Sequence, residues 1–171
     1  FSACSKDGKE ETTTAAPAAY TLAYTYDSHY AQTDPSAVRA YEKIAKAIVE
    51  GGVAVRVNTD MMDDVNRLLY TGFPLMALVD TVSVNSDNSG VTIKYKNNAD
   101  TLVSAFSQKV NTILKACGKG TVSHNVYLLN VYHYVATHTT YDDSVTDTYT
   151  AILQGKGMSA AISGMFEFLL Q

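Results

Sequence analysis

The sequence predicts an α+β fold with several helices and a small antiparallel sheet or hairpin. Apolar residues recur at three- and four-residue spacing in stretches opened by Asp34, Asn98 and Ser123, each preceded or closed by cap residues or glycine. Two β-prone runs, Leu78 to Val84 and Val91 to Tyr95, flank the polar turn Asn85-Ser86-Asp87-Asn88-Ser89-Gly90, which is the pattern of an antiparallel hairpin.

Taken in order, Asp34 suits an N-cap and Pro35 the first helical position, where a missing N–H costs nothing. Ala37, Tyr41, Ile44, Ala47 and Ile48 then share one face, and Gly51-Gly52 stops the helix. Val53 to Val57 alternates like a half-buried strand. Asn58-Thr59-Asp60 offers caps for a short helix carrying Val65, Leu68 and Leu69, broken by Gly72-Phe73-Pro74. The turn around Asp87 lacks the spaced acidic ligands and closing glutamate of a calcium loop and reads as a plain turn. Asn98 opens a long helix through Leu102, Phe106, Val110, Ile113 and Leu114 to Cys117, closed by Gly118 and Gly120. Ser123 opens another bearing Tyr127, Leu128, Val131, Tyr134, Val135 and His138, which Tyr141-Asp142-Asp143 ends. A polar connection from Ser144 to Thr150 leads through Ala151 to Gln154 into Gly155-Lys156-Gly157 and a final apolar helix.

At 171 residues the chain is the size of one domain with a tail. Its net charge of -4 gives no electrostatic case for nucleic acid as a partner, and no apolar run approaches the roughly 20 residues of a membrane span. Residues 1–19, rich in Lys, Glu, Thr, Ala and Pro, read as a flexible linker, and Tyr20 to Tyr26 as a short strand or ordered lead-in. Phe1-Ser2-Ala3-Cys4 looks like the end of a bacterial lipoprotein signal, with Cys4 as the lipid attachment residue, although Phe1 stands where leucine is usual. The competing reading is a free cysteine in a tail. Cys117 reads as a small buried hydrophobe.

Ser159 is the candidate site residue. It sits just inside a helix start behind two glycines, where free N–H groups and the helix dipole favour an anion or developing oxyanion and glycine permits close approach. The competing reading is a helix-terminal or cap residue with no base beside it. His124, His133 and His138 lack the one-turn spacing of a zinc motif, so neither a metal nor a cofactor is expected.

The segment Tyr132 to Asp142, ending in Thr140-Tyr141-Asp142, followed after a polar gap by Ala151-Ile152-Leu153-Gln154-Gly155-Lys156-Gly157, resembles the transglutaminase-like superfamily of papain-like folds. There a Thr-Tyr-Asp type segment precedes a Gly-Lys-Gly-Val-Cys-Gln-Gly-Tyr-Ala type motif that places the catalytic cysteine at the next helix start. The upstream layout, with Leu69-Tyr70-x-x-Phe73-Pro74, looks like a region preceding this domain in lipoproteins of Gram-positive bacteria. Residue by residue, Met158 stands at the usual valine and Ser159 at the nucleophilic cysteine. Ala160, Ala161, Ile162 and Ser163 replace the run that follows. The family's histidine and aspartate lie downstream of that helix, and the sequence ends inside it at Gln171.

The resemblance therefore implies residues 1–19 as lipoprotein tail, 20–120 as an N-terminal α+β region, and 121–171 as the start of a transglutaminase-like (papain-like) core. It implies a truncated or incomplete domain, with Ile162, Met165, Phe166, Leu169 and Leu170 short of partners unless the rest of the chain covers them. The expected function is a lipid-anchored protein on the outer face of a bacterial membrane, catalytically inactive or incomplete, acting as a binding or scaffold module towards protein or cell-wall peptide. The alternatives are an amidase- or peptidase-like enzyme completed by missing residues or by an in-chain histidine, and a structural lipoprotein domain.

Overall fold

Asp34 opens the first helix, α1 (Pro35–Glu50), by accepting the Ser36 N–H on its carboxylate at 2.6 Å, with Pro35 in the first turn. Of the apolar face expected from the sequence, Ala37, Tyr41, Ile44 and Ile48 are buried and Ala47 partly so, and Gly51 ends the helix in the left-handed conformation that its lack of a Cβ permits. The computed structural model describes residues 33–171. The readings on Cys4, the linker 1–19 and Tyr20 to Tyr26 lie outside the described residues.

The strand expected from Val53 to Val57 shortens to β1 (Ala54–Val55), with Val53 exposed and Val57 buried. α2 (Met62–Gly72) starts later than the cap cluster suggested. Asn58 spends its carboxamide oxygen on the Asp60 N–H at 2.9 Å, making a turn ahead of the helix, and Met61 takes the cap position by backbone alone. Val65, Leu68 and Leu69 are buried as expected. A 3-10 turn, Pro74–Leu78, follows, running from the Pro74 that breaks the helix to the Leu78 expected to open the strand. Pro74, Leu75, Met76 and Leu78 are all buried within it.

The hairpin consists of β2 (Val79–Val84) and β3 (Val91–Tyr95). β3 is central in an antiparallel sheet of order β1-β3-β2, with Val82 opposite Ile93 and an irregularity between Val79 and Thr81. The connecting turn closes on its own polar groups, the Ser89 N–H donating to the Asp87 carboxylate at 3.0 Å. Gly90 is required where hairpin and β1 meet, since a Cβ there would run into the Val55 carbonyl oxygen.

α3 (Ala99–Cys117) buries Phe106, Val110, Ile113 and Cys117 and ends at left-handed Gly118. α4 (His124–His138) buries Tyr127, Val131 and Val135. Beyond it come β4 (Thr140–Tyr141), α5 (Thr148–Gln154), β5 (Lys156–Gly157) and α6 (Ser159–Leu170). α5 replaces part of the expected polar connection. Asp147 caps it by accepting the Thr150 N–H at 2.8 Å, and buried Tyr149, Ala151 and Ile152 tie it to the interior.

One hydrophobic core runs from Ala37 to Leu169 and draws on every helix. Phe106 of α3 is its aromatic centre, stacked on Tyr149 of α5 at 5.1 Å between centroids and tilted against Phe168 of α6 at 5.5 Å. α6 is accordingly not short of partners. Met165 and Leu169 are buried, and Ile162, Phe166 and Leu170 pack against the same core, because α4 and α5 flank the helix and take its apolar face.

Candidate functional site

The two segments that carry the family resemblance meet in space. β4 pairs in parallel with β5, Thr140 facing Lys156 and Tyr141 facing Gly157. The Thr140 N–H donates to the Gly155 carbonyl and the Asp142 N–H to the Gly157 carbonyl, each at 3.0 Å. Two residues are too few for a strand to stand alone, and side chains complete the clasp. Lys156 donates to Asp142 Oδ2 at 2.8 Å, while the Ser144 hydroxyl and N–H donate to Asp142 Oδ1 at 2.6 and 3.0 Å. These donors, the Lys156 ammonium foremost, hold the Asp142 carboxyl down at about 2.

The clasp sets the start of α6. The Met158 N–H donates to the Val145 carbonyl at 2.8 Å and fixes the extended residue from which the helix springs. Behind it Val145, Ala151 and Ala161 form a small apolar cluster under Gly157. Met158 is thus the N-cap, without a side-chain cap hydrogen bond, and Ser159 is the first helical residue rather than the cap. Its side chain is exposed, and among the described residues its Oγ has no hydrogen-bond partner.

The histidines of α4 do not gather into a base for it. His138 Nδ1 lies 3.1 Å from the Tyr134 carbonyl and 2.8 Å from the Thr137 hydroxyl, with its ring stacked on Tyr134 at 4.3 Å. His124 and His133 are exposed on the same helix, and His124 is about 21 Å along the axis from His138 by helical rise. Among the described residues no group of His, Cys, Asp and Glu is placed to hold a metal ion. Cys117 is buried at the end of α3, its carbonyl receiving the Asn130 amide at 3.0 Å, and burial pushes its thiol pKa up, which suppresses the nucleophilic thiolate.

An open cleft of about 550 Å³ lies beside the start of α6. Phe73, Met76, Leu102 and Tyr149 give it apolar walls, Lys96 and Asp147 give it opposite charges, and Ala160 and Ala161 close one side. Ser159 is not part of its wall. Lys96 already spends one donor on the Ala77 carbonyl at 2.7 Å. The cleft had no signature in the sequence, because segments separated by some seventy residues contribute to it. The Asp142–Lys156 pair did have one: both residues stand inside the quoted motif segments, and only the parallel pairing reveals that they touch.

No helix among the described residues is long and apolar enough to cross a membrane. No family model matches the sequence, and neither a curated protein nor a solved structure matches it.

Proposed function

We propose that this protein is a transglutaminase-like relative without catalytic activity, working as a binding or scaffold module. The carrying observation is Ser159: it stands in the first turn of α6, where the resemblance puts the nucleophile, yet its hydroxyl has neither a thiol's acidity nor a base at hydrogen-bond distance among the described residues. A serine hydroxyl stays protonated at neutral pH and attacks a carbonyl only with a base and an oxyanion hole beside it. The clasp of β4 on β5 supports the resemblance, since it joins the Thr140-Tyr141-Asp142 and Gly155-Lys156-Gly157 segments and aims the helix that follows. The cleft flanked by Ala160 and Ala161 supports binding, having apolar walls and one group of each charge suited to a peptide of protein or cell-wall origin. The same reading takes Cys4 as the lipid attachment point that holds the protein on the outer membrane face.

The test is an amide hydrolysis and amine-transfer assay on the purified protein, run with Ser159→Ala and with a fluorophosphonate probe. The expected result is no turnover and no labelling in either protein. Turnover or labelling that Ser159→Ala abolishes overturns the proposal. Labelling cells with an alkyne fatty acid tests the anchor: Cys4→Ala is expected to lose both the label and the membrane fraction.

A further inference from the structure

We infer that the outer face of α4 is a self-association surface, on which two copies of this chain pair antiparallel across a two-fold axis at Leu129. The inference is independent of the reading of Ser159.

α4 is apolar on two sides. Tyr127, Val131 and Val135 face the core, while the opposite side presents Val126, Leu129 and Tyr132 to solvent, with Val122 in the turn before. Of nine exposed large hydrophobic residues among those described, five fall between Val122 and Tyr132, so the apolar surface is concentrated rather than scattered. Leu129 and Tyr132 are 62% and 63% exposed. From His124 to His138 the helix carries no Asp, Glu, Lys or Arg, whereas α1, α2 and α3 carry charges such as Lys43, Lys46, Asp63, Arg67, Lys109 and Lys115. A helix apolar on both sides is one that packs on both sides.

The spacing identifies the occupant. Val122, in the turn before α4, and Asn125, Val126, Leu129, Tyr132, His133 and Ala136 form one strip, recurring at i, i+3, i+4 and i+7, and each is exposed. The strip maps onto itself when reversed about Leu129. A two-fold axis at Leu129 sets Leu129 against itself, Val126 against Tyr132, Asn125 against His133 and Val122 against Ala136. Val126 meets the larger Tyr132, Val122 meets the small Ala136, and the one polar pair joins a carboxamide to an imidazole that can exchange a hydrogen bond. The charge pattern agrees: copies carrying -4 each repel over most of their surface, and an uncharged seam is where they approach without opposing like charges. Tyr132 is held ready by edge-on contact with Phe166 of α6 at 6.4 Å. From their fractional exposure, these residues and their rim would bury on the order of 1,000 Å² in the pair, the size of weak, transient interfaces.

Sedimentation equilibrium of the full chain from about 1 to several hundred micromolar tests this. The expected result is a concentration-dependent dimer that Leu129→Asp converts to monomer at every concentration, with unchanged circular dichroism because the position is exposed. In a Cys4→Ser background, Leu129→Cys is expected to form a self-disulfide on mild oxidation, and Val53→Cys, equally exposed but just before β1, is not. A wild-type monomer throughout the range overturns the inference, and flotation of that monomer with phosphatidylcholine vesicles would assign the face to lipid instead. A dimer that survives Leu129→Asp overturns it as well.

Discussion

Tyr127, at the end of the first turn of α4, donates its phenolic proton to the carbonyl of Leu169 in the last turn of α6. That carbonyl is one of the four at a helix C-terminus that no N–H of the same helix can satisfy, so a side chain from a neighbouring helix closes an end that would otherwise need water. Burial and the nearby Cys117 raise the Tyr127 hydroxyl to about 12, and the Lys119 ammonium lies over its ring at 4.8 Å.

Tyr127→Phe is expected to lower stability by about 1 kcal/mol through loss of that hydrogen bond. The pH dependence has a definite sign. A tyrosine whose folded pKa lies above its unfolded value near 10 contributes fully below 10, and the contribution is lost as pH rises through the folded value near 12. Urea unfolding between pH 9 and 12 checks this: the wild type should weaken over that window, and Tyr127→Phe should lose part of the slope.

Asp142 works in the opposite direction. Its carboxyl is held at about 2 by Lys156 and Ser144, so its share of the clasp is present above the ordinary carboxylate range and disappears as pH falls from about 4 through 2. The carboxyl carbon resonance of Asp142 should titrate near 2 in the wild type and move towards the ordinary range in Lys156→Gln. An unchanged midpoint in that variant would show that Lys156 is not the main cause.

Gly155→Ala should damage the same clasp through the backbone. Gly155 has φ +65, and a Cβ there would lie 2.8 Å from the His138 carbonyl oxygen. The left-handed conformation alone costs an alanine on the order of 1–3 kcal/mol, and the collision adds to it. A fall in the thermal midpoint, with hydrogen exchange accelerated first at Thr140 and Asp142, is the expected signature. A variant as stable as wild type would mean that the turn opens without cost.

What the sequence disclosed depended on how local the cause was. The first helix was legible because Asp34, Pro35 and Gly51 each act within a turn of the end they mark, and the hairpin because Asn85 to Gly90 separates two β-prone runs. α5 was not legible. Thr148, Tyr149 and Thr150 are poor helix formers, and what holds them is Tyr149 stacked on Phe106, forty-three positions earlier, with its hydroxyl bonded to the Leu102 carbonyl at 3.0 Å. The β4–β5 pair leaves no period to read in two residues per strand. Ser159 could be placed at a helix start from Gly155-Lys156-Gly157, but whether a histidine of α4 reaches it depends on how α4 is set against α6.

The order of the small sheet carries a consequence for how these molecules meet one another. Among the described residues, both margins of the β1-β3-β2 sheet lack a neighbouring strand, and such an edge can recruit a foreign strand, the first step of fibrous aggregation. Here β1 offers two residues, and β2 is interrupted between Val79 and Thr81 and bears exposed Asp80, Thr81 and Ser83, with Asp80 tied to Lys94 at 2.9 Å. A template so short on one side and so broken and hydrophilic on the other suits strand addition poorly. Polymerisation through these edges is thereby discouraged, so that a self-association of the kind inferred for α4 would close on itself and stop.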